Sequence, residues 1–503
     1  MAHSYLKSIL TSRVYDVARE TELSYASKLS RRLNCNIWLK REDQQDVFSF
    51  KIRGAYNKMA RTSPEILANG VVAASAGNHA QGVAYAARKL KCQATIFMPI
   101  TTPTIKSSAV RQLGAKVRLV GDNFDETATD AHQYCVENKL LFVPPYDDPD
   151  VIAGQGTIAL EILSQHSGDL DAIFIPVGGG GLISGISTLI KELRPDVKII
   201  GVEPEDAASM TAALAQKRRV RLAHVGQFAD GVAVGQAGKE PFRICLESVD
   251  DMITVNTDEI CAAIKDIFED TRSIMEAAGA LSIAGLKKYV KQNDLDKSNL
   301  IAIASGANMN FDRLRHVSER AEIGELREAI LSVTIPEKPG SFRRFCRLIG
   351  KRNVTEFNYR YAQEGSANIY VGLQIQDRND IRNVIDKLEN TGYATVDLTD
   401  NEMAKLHIRH MVGGRATEVT DEMLFRLQFP ERPGALSGFL DALGENWNIS
   451  LFHYRSHGAD FGRILCGIQV PRAQRKSIKK LLNSLDYPWS DESDNVAYRL
   501  FLS

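Results

Sequence analysis

Residues 171–193 read DAIFIPVGGGGLISGISTLIKEL. Ala172 to Val177 form a short apolar run, Gly178 to Gly181 interrupt it, and apolar residues then recur at helical spacing from Leu182. An apolar strand, a glycine turn and a helix make half of a strand–helix–strand unit, the repeat of a parallel sheet. The pattern extends outward in both directions. NIWLK (36–40), GVVAAS (70–75), QATIFMP (93–99), AKVRLVG (115–121), KIIGVEPE (198–205) and NLIAIASG (299–306) read as further short strands, with helical stretches such as HAQGVAYAARKL (79–90) between them. From about residue 30 to 310 the expectation is an α/β body with parallel sheets covered on both faces. Ligands in such sheets gather where strand ends lead into helices. Three of these junctions are rich in small and polar residues: SAGNHAQG (75–82), PVGGGGLISG (176–185) and ASGANMN (304–310).

A chain of 503 residues exceeds one ordinary core, so two to four domains are expected. Lysines and arginines number 62, as do acids. A net charge of zero argues against a nucleic-acid or polybasic membrane surface. No apolar run nears the roughly 18 residues that span a bilayer, and MAHSYLKSIL lacks the apolar core of a secretory signal. The seven cysteines are scattered without a C-x-x-C pair, which predicts reduced thiols in a cytoplasm and no zinc framework. No tight cluster of metal ligands stands out.

Beyond about residue 325 the texture changes. LSVTIPEKPGSFRRFCRLIGKRNVTEFNYR is answered about 94 residues later by LFRLQFPERPGALSGFLDALGENWNISLFHYR. Each copy carries a Pro-Gly loop, Pro339-Gly340 and Pro433-Gly434, and a later amphipathic helix: Ile381, Val384, Ile385 and Leu388 in the first, Ile478, Leu481, Leu482 and Leu485 in the second. The duplicated unit reads as strand–helix–strand–strand–helix–strand, the ferredoxin-like order. The expected division is a body over 1–322 and modules over 323–402 and 420–503, with RLRHVSERAEIGELREAI as a helical connector.

In VFSFKIRGAYNKMA (47–60), Ile52, Ala55, Tyr56 and Met59 mark a buried helical face, and Ser49 is a candidate N-cap. Lys51 stands in the first turn, among apolar neighbours. It is either a solvated helix-start lysine or an amine whose proton affinity is lowered by burial and by the helix N-terminus. A neutral lysine can attack a carbonyl and hold it covalently. Arg53 is expected to point outward or to pair with an acid. Gly178 to Gly181 can turn their N–H groups toward one anion; a purely structural turn is the alternative. The spacing fits neither a dinucleotide loop nor a P-loop, so a ligand bearing one phosphate remains. Ser75, Asn78 and His79 open a helix at a turn suited to a substrate carboxylate, or form an ordinary serine cap. Ser305 can cap, or can meet a ring nitrogen. A carbonyl-capturing lysine, a monophosphate cup and a carboxylate turn together describe pyridoxal phosphate acting on an amino acid.

With these pieces in order, the chain resembles the fold type II pyridoxal-phosphate enzymes, and most closely the biosynthetic threonine dehydratases. The matching segments are VYDVARET, LKRED, SFKIRGAYN, SAGNHAQGVA, GQGT, PVGGGGLISG, ASGANMN and the two C-terminal modules, which resemble ACT-like regulatory modules. Two departures are Glu22, where the family usually has proline after ET, and Glu276-Ala277-Ala278-Gly279-Ala280, where it often reads EPAGA. The resemblance implies that Lys51 holds the cofactor and removes the Cα proton. It also implies that Phe50 packs beside the ring, Asn78 meets the ring hydroxyl, and Gly178, Gly179, Gly180, Gly181 and Leu182 cradle the phosphate. Ser305 would meet the pyridine nitrogen, and Ser75, Asn78 and His79 would serve the substrate. The implied reaction is dehydration and deamination of L-threonine to 2-oxobutanoate and ammonia. Isoleucine would inhibit and valine oppose it at Gly340, Tyr359, Gly434, Leu436, Phe452 and Tyr454, in a homotetramer. Serine dehydratase, serine racemase and threonine synthase are the alternatives within the fold.

Overall fold

The apolar runs of the first 321 residues become two parallel sheets in the computed structural model, which describes residues 5–325, 327–336, 345, 348–349, 354–359, 366–410, 421–430, 439, 442–443, 447–455, 461–485 and 487–502. In chain order the strands are β1 (Leu23–Tyr25), β2 (Asn36–Arg41), β3 (Val71–Ala74), β4 (Ala94–Met98), β5 (Lys116–Leu119), β6 (Leu141–Phe142), β7 (Ala172–Pro176), β8 (Lys198–Pro204), β9 (Asp251–Val255) and β10 (Asn299–Ala304). The larger sheet runs β1-β2-β10-β7-β8-β9 and the smaller β5-β4-β3-β6. Every pairing is parallel except that of β1 with β2. Central strands β3, β4 and β7 are buried along their whole length, the signature of sheets covered on both faces.

Sequence patterning misses β1, β6 and β9. The first two are only three and two residues long, too short for any period to register. The third opens on an exposed aspartate. The helix expected at Lys51 spans Lys51–Ala60 and buries Ile52, Ala55, Tyr56 and Met59. Phe50, not Ser49, flanks its start, yet Ser49 Oγ still accepts the Lys51 N–H at 3.3 Å. The connector is helical over Leu314–Gly324 only. Glu328 to Ile330 already belong to the next strand, because Ala329 and Ile330 enter cores beneath that strand.

The chain divides into two compact units, Met1–Ala321 and Glu322–His457 with Phe461–Ser503. The second holds β11 (Glu328–Pro336), β12 (Val354–Tyr359), β13 (Ser366–Gln374), β14 (Thr395–Asp397), β15 (Glu422–Pro430), β16 (Asn448–Arg455), β17 (Phe461–Gln469) and β18 (Trp489–Asp491). These form two antiparallel sheets of identical order, β12-β13-β11-β14 and β16-β17-β15-β18. Helices Arg378–Glu389 and Arg475–Ser484 follow the third strand of each copy. They bury Ile381, Val384 and Leu388 in one core and Ile478 and Leu482 in the other. A third cluster joins the copies, with Ile330, Tyr370 and Leu398 packed among Leu424, Leu465 and Tyr498. Of the residues assigned to an effector, Gly340, Gly434 and Leu436 lie outside the described residues, as do the side chains of Tyr359, Phe452 and Tyr454.

Candidate active site

Four segments of the body meet around Lys51. The backbone before it is tied to the end of β10: Phe50 N–H donates to the Ser305 carbonyl at 3.3 Å, and Ser49 pairs with Gly306. Asn308, just beyond, donates through Nδ2 to Asn78 Oδ1 and to the Val47 carbonyl, both at 2.8 Å. That places Asn78, first residue of the helix Asn78–Leu90, beside the same loop. Lys51 Nζ donates to the Pro145 carbonyl at 3.2 Å and lies 5.2 Å from the centre of the Phe50 ring. The next residue, Tyr146, packs on the glycines: a Cβ on Gly179 would stand 2.3 Å from its ring. Lysine, asparagine, serine and glycine loop are therefore linked by contacts at the strand ends of the two sheets.

Burial lowers the Lys51 amine to about 8, with the Glu276 carboxylate acting in the opposite sense. Roughly a tenth of its population is then uncharged at pH 7, far more than for an ordinary lysine, and the neutral form is the one a nucleophile and base requires. His79 is held far lower, at about 3, first by burial and then by the Lys51 charge. Its Nε2 meets the Val143 carbonyl at 2.8 Å, so the ring is a neutral donor to backbone. Ser75 Oγ accepts the Gly77 N–H at 3.2 Å, closing the turn before Asn78. Ser305 Oγ donates to the Ala278 carbonyl at 3.3 Å.

The glycine loop has no room for side chains. A Cβ on Gly178 would come within 2.9 Å of Val232 Cα, and one on Gly181 within 2.9 Å of Tyr146. Gly180 has φ +95°, a left-handed conformation that side chains resist. No acceptor among the described residues meets the N–H groups of Gly178 to Leu182. Five free donors at a helix start make an anion site.

Arg53 does pair with acids, but wholly inside. Its guanidinium bridges Glu42 (2.8 Å twice) and Glu161 (2.5 and 3.0 Å), and Lys40 joins Glu161 at 2.7 Å. Two buried cations and two buried carboxylates balance one another, which anchors the helix that begins at Lys51 to the body. Sequence reading missed Glu42 and Glu161 as its partners, since they stand 11 and 108 residues away. It also passed over Glu276 and Asn308; the only available signal was their place within the EAAGA and ASGANMN turns.

Residues 14–306 match the model of the pyridoxal-phosphate dependent enzyme family. Residues 319–408 and 413–502 each match the C-terminal regulatory domain of threonine dehydratase. The L-threonine dehydratase biosynthetic IlvA of Burkholderia multivorans is 54% identical over the full length of both chains. The chain belongs to the threonine dehydratase family. Another relative, from Escherichia coli, is 51% identical over 99% of this chain and 97% of its own. Among solved structures, the processed threonine deaminase isoform 2 of Solanum lycopersicum is 53% identical, with a TM-score of 0.62, over 63% of this chain and 92% of its own. A serine racemase from Dictyostelium discoideum is 31% identical, with a TM-score of 0.57, over 61% of this chain and 99% of its own.

Threonine dehydratases of this family depend on pyridoxal phosphate, and the residues present fit it. The crowded glycine loop with free N–H groups suits one phosphate, and the lowered Lys51 amine suits an aldehyde.

Proposed function

We propose that the chain converts L-threonine to 2-oxobutanoate and ammonia, with Lys51 as the base that removes the Cα proton. The observation that carries this reading is the lowered Lys51 amine linked by contacts to the glycine loop, Asn78 and Ser305. Full-length likeness to threonine dehydratases supports the substrate.

Pyridoxal phosphate, when bound, supplies an aldehyde for the amine of the amino acid and a conjugated ring that accepts the Cα electrons. Gly178 to Leu182 would hold its phosphate through N–H groups, Asn78 would meet the ring hydroxyl, and Phe50 would pack beside the ring. Ser75, the backbone N–H of Asn78 and the other free N–H groups of their turn would hold the substrate carboxylate. That grip fixes which face of Cα meets the Lys51 amine. Neutral Lys51 would take the Cα proton, the β-hydroxyl would leave as water with the proton the ammonium then returns, and the enamine set free hydrolyses to the oxoacid and ammonia. Ser305, which would turn its hydroxyl from the Ala278 carbonyl to the ring nitrogen, is no carboxylate and would not force that nitrogen into its protonated form. Such a partner would favour expulsion of the β-group.

The duplicated match to a regulatory domain supports control by small molecules. The proposed effectors are isoleucine as inhibitor and valine as its antagonist, with the reaction at the entry to isoleucine synthesis and the enzyme a cytoplasmic homotetramer. An effector acts only through differential affinity for two states. The test is to follow 2-oxoacid formation from L-threonine and from L-serine, with and without isoleucine and valine, using the whole chain and a chain ending at residue 322. Expected are threonine turnover by both and isoleucine inhibition of the whole chain alone. Serine turnover without threonine turnover would overturn the substrate; equal inhibition of the short chain would overturn the regulatory assignment.

A further inference from the structure

Glu276 flanks the start of the helix Ala277–Gln292, where an acidic side chain ordinarily folds back onto the first free N–H groups. It makes no such bond. Its backbone is fixed from both sides, with its N–H on the Gly306 carbonyl at 3.2 Å and its own carbonyl accepting from Gly279 and Ala280. The side chain is buried and turns into the cleft, where Oε1 accepts from Asn78 Nδ2. Gly306 leaves room for it: a Cβ there would stand 2.6 Å from the same oxygen.

A chain of hydrogen bonds decides how Asn78 is turned. The Val47 carbonyl can only accept, so Asn308 presents Nδ2 to it and, with the same nitrogen, to Asn78 Oδ1. Asn78 then has its Nδ2 toward Glu276, and one amide hydrogen remains unassigned. Charged groups face Glu276 from several elements. Lys51 lies at its helix start, Asp230 on the turn Asp230–Val232, Lys106 on the helix Thr104–Gln112 and Arg313 on the turn Phe311–Arg313. Lys106 and Arg313 hold Asp230 at 2.6 and 3.4 Å. Burial, then the Asp230 charge, raise Glu276 to about 7 against the pull of Asn78, Lys106 and Arg313.

We propose that Glu276 is a positioning residue for the elimination: it aims the remaining Asn78 N–H at the ring oxygen of the cofactor, and the charge of its carboxylate tunes the Lys51 amine. The proposal rests on the assignment of Asn78 to that ring. Ionised Glu276 favours the protonated amine, and protonated Glu276 favours the free one, so the two groups titrate against each other across neutral pH.

The test uses the full-length holoenzyme. Glu276→Gln keeps an acceptor for Asn78 and removes the charge; Glu276→Leu removes both. Glu276→Gln is expected to bind pyridoxal phosphate as the parent does. It should displace the limb of the kcat/KM–pH profile near neutrality by about one pH unit, and move the pH titration of the visible absorption band with it. Glu276→Leu is expected to weaken cofactor binding about tenfold. Profiles and titrations that coincide with the parent in Glu276→Gln would overturn the proposal, as would a fall in kcat that tracks a fall in Tm with no movement of either. Asn78→Ala separates the two layers. If it leaves the absorption band unmoved, the ring assignment itself fails; if it moves the band while both Glu276 variants do not, only the role of Glu276 fails.

Discussion

In the second unit, Thr399 Oγ1 accepts the Ile330 N–H at 3.1 Å and donates to Asp397 at 2.6 Å; Ser493 Oγ accepts the Leu424 N–H at 3.0 Å and donates to Asp491 at 2.6 Å. Each contact recurs 94 positions on. Asn401 and Asn495, which cap equivalent helices, touch each other at 3.2 Å, as equivalent residues do across a local twofold axis. In the first unit no such echo exists. Lys51, the glycine loop, Asn78, Glu276 and Ser305 each occur once, supplied by different strand ends. The regulatory unit is redundant in its framework, whereas the catalytic unit has no second copy of anything. Substitutions should therefore differ in kind between the two.

The sharpest break is expected at Lys51. Lys51→Ala should lower turnover of L-threonine by roughly 10⁴-fold while circular dichroism and Tm stay near those of the parent; appreciable activity would remove the proton-transfer role. Next comes the buried network. Arg53→Met leaves Glu42 and Glu161 short of a cation and should cost about 4 kcal/mol in urea unfolding. A loss below 1 kcal/mol would show that the network adds little to the body.

A smaller effect concerns pH. Because burial holds the Lys51 amine near 8, its neutral fraction falls about tenfold per pH unit below that value. Capture of pyridoxal phosphate by the cofactor-free protein, followed by absorbance, should slow accordingly below pH 8 and level off above it. A rate that keeps climbing to pH 10 would mean an ordinary lysine. The least effect belongs to the repeats: Thr399→Val and Ser493→Ala should each cost about 1 kcal/mol, and nearly the same amount. Strongly unequal losses would break the comparison, by showing that one copy carries the unit.

What could be read in advance follows the same division. Strands β7 and β10 and the glycine loop were legible because apolar runs ending in small residues are local patterns. The duplication was legible because it repeats. Lys51 was legible as an anomaly, a cation where a helix start disfavours one. For Arg53, pairing with an acid was one of two readings, but its burial was not legible, because the contacts with Glu42 and Glu161 lie 11 and 108 residues away. Glu276 was invisible for a different reason. An acid before a helix looks like an ordinary cap, and only the structure reveals that its carboxylate leaves that duty for Asn78.

The contact between Asn401 and Asn495 also bears on dilution. Two modules that pair across a twofold axis within one polypeptide meet at an effective concentration set by the chain, independent of how much protein surrounds them. Separate subunits part when the solution is thinned; these two modules do not. Their pairing should therefore persist in a single isolated chain.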